Sequence, residues 1–252
     1  MSSPSPYAPP MADLLRKAPP PGGPARPPRT TIDIAEALRY PFQDPAWLSK
    51  AAVAGLMMFV PFVGPFLLLG WKAEVYERAR RGETELPGIS FGSQLVAGFK
   101  VFLGLFSSIF LLVFAMVALH AAILGVGWGL GYLLQTLTGS AEAMSLGIGV
   151  ASLFMTFLHI FLAFGVNGLM PELYRRAFTG ETLGLINPMP SLSRVKGRAG
   201  VYLIVVVGMI AANLAGAMGV FACYLGLFVT LPLGYAASAH LIAQWTELSG
   251  GD

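Results

Sequence analysis

Residues 101–134, 143–171 and 199–246 hold no Asp, Glu, Lys or Arg. A helix of roughly 20 apolar residues crosses the hydrocarbon core of a bilayer, and each stretch is longer than that. Inside lipid every backbone N–H and C=O must be satisfied within the protein, so such stretches become helices. The expected fold is an all-α integral membrane protein. Composition agrees: 12% of residues are charged, against about 25% in a soluble domain. The net charge of +3 fits membrane topology better than nucleic acid, and nucleic acid is not expected as a partner.

A second constraint is a repeated string. Residues 74–84 read EVYERARRGET and residues 172–182 read ELYRRAFTGET, identical at seven of eleven positions. In each copy Glu and Arg stand four apart, Glu74 with Arg78 and Glu172 with Arg176, close enough to meet on one helix face. Gly82 and Gly180 then stop the helix in the left-handed region. Tyr76 and Tyr174 are expected at headgroup depth. The string reads as a helix leaving the membrane twice, and its recurrence implies duplicated hairpins at about 44–84, 87–182 and 188–247.

Residues 1–31 are proline-rich and predict a disordered cytoplasmic tail rather than a signal peptide. Within it PARPPR (24–29) fits a proline-helix ligand and MADLLRKA (11–18) a short docking helix, so a cytoplasmic protein partner through the tail is one reading. The membrane domain is 32–247. Asp33 and Glu36 have capping-box spacing, and Tyr40-Pro41 ends that helix. Asp44-Pro45 is expected to start the next helix, with Trp47 at the interface. Pro61, Gly64 and Pro65 break the apolar run 51–71.

Basic residues favour the cytoplasmic side of spans. All 16 Lys and Arg fall on one side if residues 47–72 form a short, proline-broken re-entrant hairpin and the rest makes four full spans. The connections near 125–143 and 219–223 then lie outside. Both termini are cytoplasmic and the localisation is the cell inner (plasma) membrane. Residues 125–140, with Trp128 and Tyr132, would hold an outer turn or short interfacial helix.

The strings ALRYPFQDPAWLSK, VPFVGPFLLLGWKAEVYERARRGETELP and LFVTLPLGYAASAHLIAQ resemble the prokaryotic membrane proteins grouped as domain of unknown function 4013. The resemblance covers about residues 32–245. It implies a multi-pass membrane protein and carries over no catalytic or binding residue.

Candidate chemistry is sparse. His120, His159 and His240 lie at three depths, so they do not converge on a metal. His159 with Asn167 and Asn213 is the one candidate intramembrane polar site. Gly125, Gly127, Gly129 and Gly131 lack the strand and lysine of a phosphate loop. Cys223 is alone and reads as a buried apolar residue. Gly208, Ala212 and Gly216, flanked by Ala211, Ala215 and Gly219, make a smooth helix face for another helix of the chain. Arg78, Arg80, Arg81, Arg175, Arg176, Arg194, Lys196 and Arg198 would touch anionic lipid or a partner. The expected function is non-enzymatic: a membrane scaffold or a component organising lipids and partners, with a basic cytoplasmic face and no cofactor. A transporter or channel for a small solute is the alternative, and a homo-oligomer is left open.

Overall fold

The computed structural model describes residues 29–181, 189–222 and 225–250. The expected tail with its two short motifs up to residue 28, and Cys223, lie outside the described residues. So do the side chains of His159 and Asn167.

Among the described residues the fold is helical throughout. The helices are α1 (Ile34–Arg39), α2 (Trp47–Leu56), α3 (Val63–Arg80), α4 (Phe91–Thr138), α5 (Ala141–Phe178), α6 (Met189–Gly197), α7 (Ala199–Ala217) and α8 (Leu227–Ser249). Short 3-10 turns follow α1, α2 and α7. Met116–Thr138, Ala199–Phe221 and Leu227–Ser249 are long and apolar enough to cross a membrane.

Helix α8 is the axis of the bundle: α1, α2, α3, α5 and α7 all pack on it. The small-residue face predicted on α7 does what its spacing suggests. Gly208, Ala212 and Gly216 are buried, and their partner is α8 of the same chain. A Cβ at Gly234 would stand 2.6 Å from the Ala212 carbonyl oxygen and 3.0 Å from the Gly216 Cα. Backbone thus meets backbone, which only glycine allows. The Thr230 hydroxyl donates to the Gly216 carbonyl at 2.6 Å across the same seam.

The segment between Asp44 and Leu86 closes on itself. The Asp44 carboxylate accepts from the Leu86 N–H at 2.8 Å. Lys50 Nζ, ion-paired with Asp44, also donates to the Leu86 carbonyl at 2.7 Å. Asp44 therefore acts less as the expected helix cap than as a clasp: α2 starts only at Trp47. The far end of the loop turns at residues 60–62, where Phe62 has φ of 62° and is 86% exposed. Phe59 there stacks on Phe228 of α8, ring centroids 4.5 Å apart.

The glycine-rich stretch departs from expectation. It is not an outer turn: α4 runs unbroken for 48 residues to Thr138, about 72 Å at roughly 1.5 Å per residue. The chain reverses at Gly139 and Ser140, with Gly139 in the left-handed region at φ 70°. From 107 to 167 the buried residues among those described are Gly127, Gly131, Gly147, Ala151 and Met155. A Cβ at Gly131 would meet the Met144 carbonyl at 2.9 Å, and one at Gly147 would meet Gly131 Cα at 2.7 Å. The glycines serve close helix pairing of α4 and α5, which outweighs their modest helix penalty.

Gly234→Leu is expected to destabilise the purified protein by about 1–3 kcal/mol through overpacking against backbone. Gly129→Leu, at an exposed position where an added Cβ meets nothing within 4 Å, should not. Denaturant titration of the detergent-solubilised protein measures both.

Candidate functional site

Nearly all the charged groups gather at one end of the bundle, and their centre is Glu172. This carboxylate is 1% exposed. It accepts from Trp245 Nε1 at 2.9 Å, from Arg175 Nε at 3.0 Å and from Arg194 at 3.1 Å. Three helices meet on it: α5, α6 and α8. Arg175, also 1% exposed, reaches on to Glu181 with both terminal nitrogens at 3.0 Å. Tyr202 packs edge-on against Trp245, centroids 5.0 Å apart, and its hydroxyl donates to the Gly168 carbonyl.

The repeated string folds into the same helix end twice. After α3, the Glu83 N–H donates to the Arg78 carbonyl at 2.9 Å; after α5, Glu181 does the same to Arg176 at 2.9 Å. Gly82 and Gly180 both take φ near the left-handed region, 77° and 79°. This is the six-to-one cap that glycine at this position makes. In both copies the glutamate after the glycine turns back to the arginine, Arg78 to Glu83 at 3.8 Å and Arg176 to Glu181 at 3.4 Å.

Side-chain pairing differs between the copies. Glu74 and Arg78 pair as their spacing predicts, at 3.2 Å. Glu172 pairs instead with Arg175, three residues on, because that arginine faces the interior beside Trp245. The two tyrosines point into the bundle. Tyr76 is buried and donates to the Thr246 hydroxyl at 3.1 Å. Tyr174 faces Lys72, whose ammonium lies 3.7 Å from its ring centre and 5.2 Å from that of Tyr235. Lys72 is 2% exposed and forms no ion pair among the described residues. An aromatic pair holding a buried cation was not foreseen from sequence; only a lone Lys after an apolar run hinted at it.

The predicted basic set therefore divides. Arg175 and Arg176 are buried and consumed by carboxylates, which leaves them no face for lipid. Arg78 and Arg194 are partly buried and paired. Arg80 lies over the Tyr76 ring at 5.9 Å. Arg81, Lys196 and Arg198 are exposed.

On the other side of α8 the amino segment is latched. The Asp33 side chain caps α1 by accepting from the Glu36 N–H at 2.8 Å. Gln244 brackets the Asp33 backbone, accepting from its N–H at 2.8 Å and donating to its carbonyl at 3.1 Å. Arg29 bridges Glu36 and Glu247 at 2.6 and 3.0 Å. His240 belongs to this latch, 3.0 Å from Gln244 and packed at a tilt against the Tyr40 ring, centroids 4.6 Å apart.

The candidate intramembrane polar site gains nothing from Asn213, which is exposed on α7. A groove of about 540 Å³ between α4 and α5 is lined by apolar residues, Ile123, Val126, Leu130 and Phe154 among them. No group of three or more potential metal ligands occurs among the described residues.

Two predictions follow from the charged end. Glu172→Gln leaves the buried Arg175 half-paired and should cost about 3–5 kcal/mol. Arg194→Gln, partly exposed, should cost about 1 kcal/mol or less. Chemical denaturation of the two variants compares them. For pH, burial would raise the Glu181 and Asp44 carboxyls, but for Glu181 the hydrogen bonds and charges of Arg175 and Arg194, and for Asp44 Lys50 with the Ala46 and Leu86 N–H groups, together outweigh it and hold both below their ordinary 4.5 and 3.8. A lowered folded pKa gives stability that is complete above the unfolded value and lost as pH falls through the folded one. Stability should therefore drop on acidification below about pH 4, and Glu181→Gln should flatten that part of a melt-versus-pH profile.

Comparison with protein-family models, with curated proteins and with solved structures finds no match for this chain.

Proposed function

We propose that the protein is a non-enzymatic membrane scaffold that holds anionic lipid or a partner at one face. The observation that carries this reading is the division of its cations. The buried arginines are spent on internal pairing, while Lys196 and Arg198 stay exposed with no ion pair among the described residues. Lysine and arginine near a lipid surface attract anionic headgroups by about 1 kcal/mol each. The apolar lining of the α4–α5 groove supports this reading over a solute path.

The same proposal includes four full spans, the re-entrant hairpin at 47–72, both termini cytoplasmic in the plasma membrane, and duplicated hairpins. The clasp of Asp44 and Lys50 on Leu86 supports the hairpin, since it closes the longer segment 44–86 that contains it. The exposed Phe59 and Phe62 suit a tip immersed in lipid. Membership in the family of domain of unknown function 4013 belongs to this proposal on the quoted strings.

Lipid retention tests the function. In vesicles mixing phosphatidylcholine and phosphatidylglycerol, Lys196→Gln with Arg198→Gln should lower the phosphatidylglycerol that copurifies with the protein, and neither form should pass solute. Solute flux by the wild type would end the scaffold reading. For the hairpin, Val60→Cys in a Cys223→Ser background should resist impermeant thiol reagents applied from either side; labelling from the outer side would exclude it.

A further inference from the structure

We infer that the cleft between α3, the start of α4 and the end of α5 binds a zwitterionic headgroup carrying a primary ammonium and a phosphate, with Glu77 as the ammonium's counter-ion. The inference rests on the lipid-contact reading above and gives it a second, distinct ligand.

The cleft holds about 270 Å³. Gly70, Ala73, Glu74, Glu77 and Arg81 fall on one face of α3 and form one wall, as their spacing of three and four requires. Ser90, Ser93, Gln94 and Ala97 of α4 form the other, and Phe178 of α5 closes the end. Gly70 is essential to the shape: a Cβ there would strike the Gln94 carbonyl.

Most polar groups in the cleft are already engaged. Glu74 takes Arg78 at 3.2 Å and the Gln94 amide at 2.8 Å. Gln94 also accepts from the Ser90 N–H at 2.9 Å and donates to the Gly88 carbonyl at 2.7 Å. The Ser90 and Ser93 hydroxyls bond each other at 2.9 Å. Glu77 is the exception. Its carboxylate has no hydrogen bond or ion pair among the described residues, and burial raises its proton affinity against the pull of Arg80 and Arg81. A partly buried carboxylate without a partner is costly and gains from a charge-assisted donor.

The cleft also offers an anion contact. Arg81 uses only Nε on Glu83, at 2.5 Å; its terminal nitrogens have no partner among the described residues. A guanidinium with free N–H groups suits a phosphate. Phe178, packed against Tyr76 and Tyr174, closes the end of the cleft with an apolar wall. One residue carrying each charge, one helical turn apart, fits a headgroup that carries both. Val96, Phe99 and Leu103, exposed on α4, continue from the cleft as an apolar track for acyl chains. A choline headgroup, its nitrogen fully methylated, cannot donate to Glu77.

The test uses the full chain in vesicles of phosphatidylcholine with and without phosphatidylethanolamine. Lipid retained through purification is quantified for wild type, Glu77→Gln and Arg81→Gln. The wild type should retain phosphatidylethanolamine preferentially, and Glu77→Gln should lower that retention about tenfold or more, the worth of a hydrogen bond to a charged group. Glu77 makes no hydrogen bond or ion pair among the described residues, so Glu77→Gln should fold normally. Ala97→Leu, which fills the cleft without touching charge, should also lower retention and guards against a folding artefact. Competition by soluble phosphoethanolamine at matched concentration would keep the assignment of the chemistry and move its source to a free metabolite. Equal retention of both lipids, or retention unchanged in Glu77→Gln and Ala97→Leu, overturns the site. Because phosphatidylglycerol retention depends on Lys196 and Arg198 instead, the cleft can fail while the scaffold reading stands.

Discussion

The fold depends on a buried carboxylate. Glu172 gathers Trp245, Arg175 and Arg194 from α8, α5 and α6, and the pairing must be complete because a buried charge left alone costs several kcal/mol. With that point fixed, α8 becomes the axis against which α1, α2, α3 and α7 pack. The seam of Gly216 and Gly234 extends the same packing toward the other end of α8, where close backbone contact is joined by the Thr230 hydrogen bond to the Gly216 carbonyl.

This division separates two kinds of surface. At the charged end, most acids and bases among the described residues satisfy one another and leave a few exposed cations and the part-buried Glu77 carboxylate without an ion pair. Along α4 and α5 the surface is apolar almost all round, and the internal contact of the far hairpin is a narrow line of glycine, alanine and methionine. Lipid suits the second surface. The first can discriminate among headgroups, which is why both functional proposals place their chemistry there.

Local signals in the sequence were readable where the interaction is local. Asp33 caps α1, Gly82 and Gly180 end α3 and α5, and the four-residue period on α7 marks a close helix contact. Signals failed where a partner distant in the chain decides. Glu172 has arginines at both three and four residues, and nothing nearby says that Arg175 faces inward; Trp245, 73 residues away, sets that face. Tyr76 and Tyr174 have interfacial sequence surroundings, yet Thr246 and Lys72 draw them inside. The cleft at Glu77 was invisible for the same reason, since its walls come from three helices.

The sequence by itself determined the solvent. Three long uncharged stretches and so few charges elsewhere leave helices in lipid as the one way to satisfy the backbone. It also determined where α3 and α5 end, because the left-handed glycine cap is a property of neighbouring residues. Tertiary structure alone decided which charges are buried and which remain available. That choice follows from the summed desolvation and pairing of groups far apart in the chain, and no window of sequence contains it.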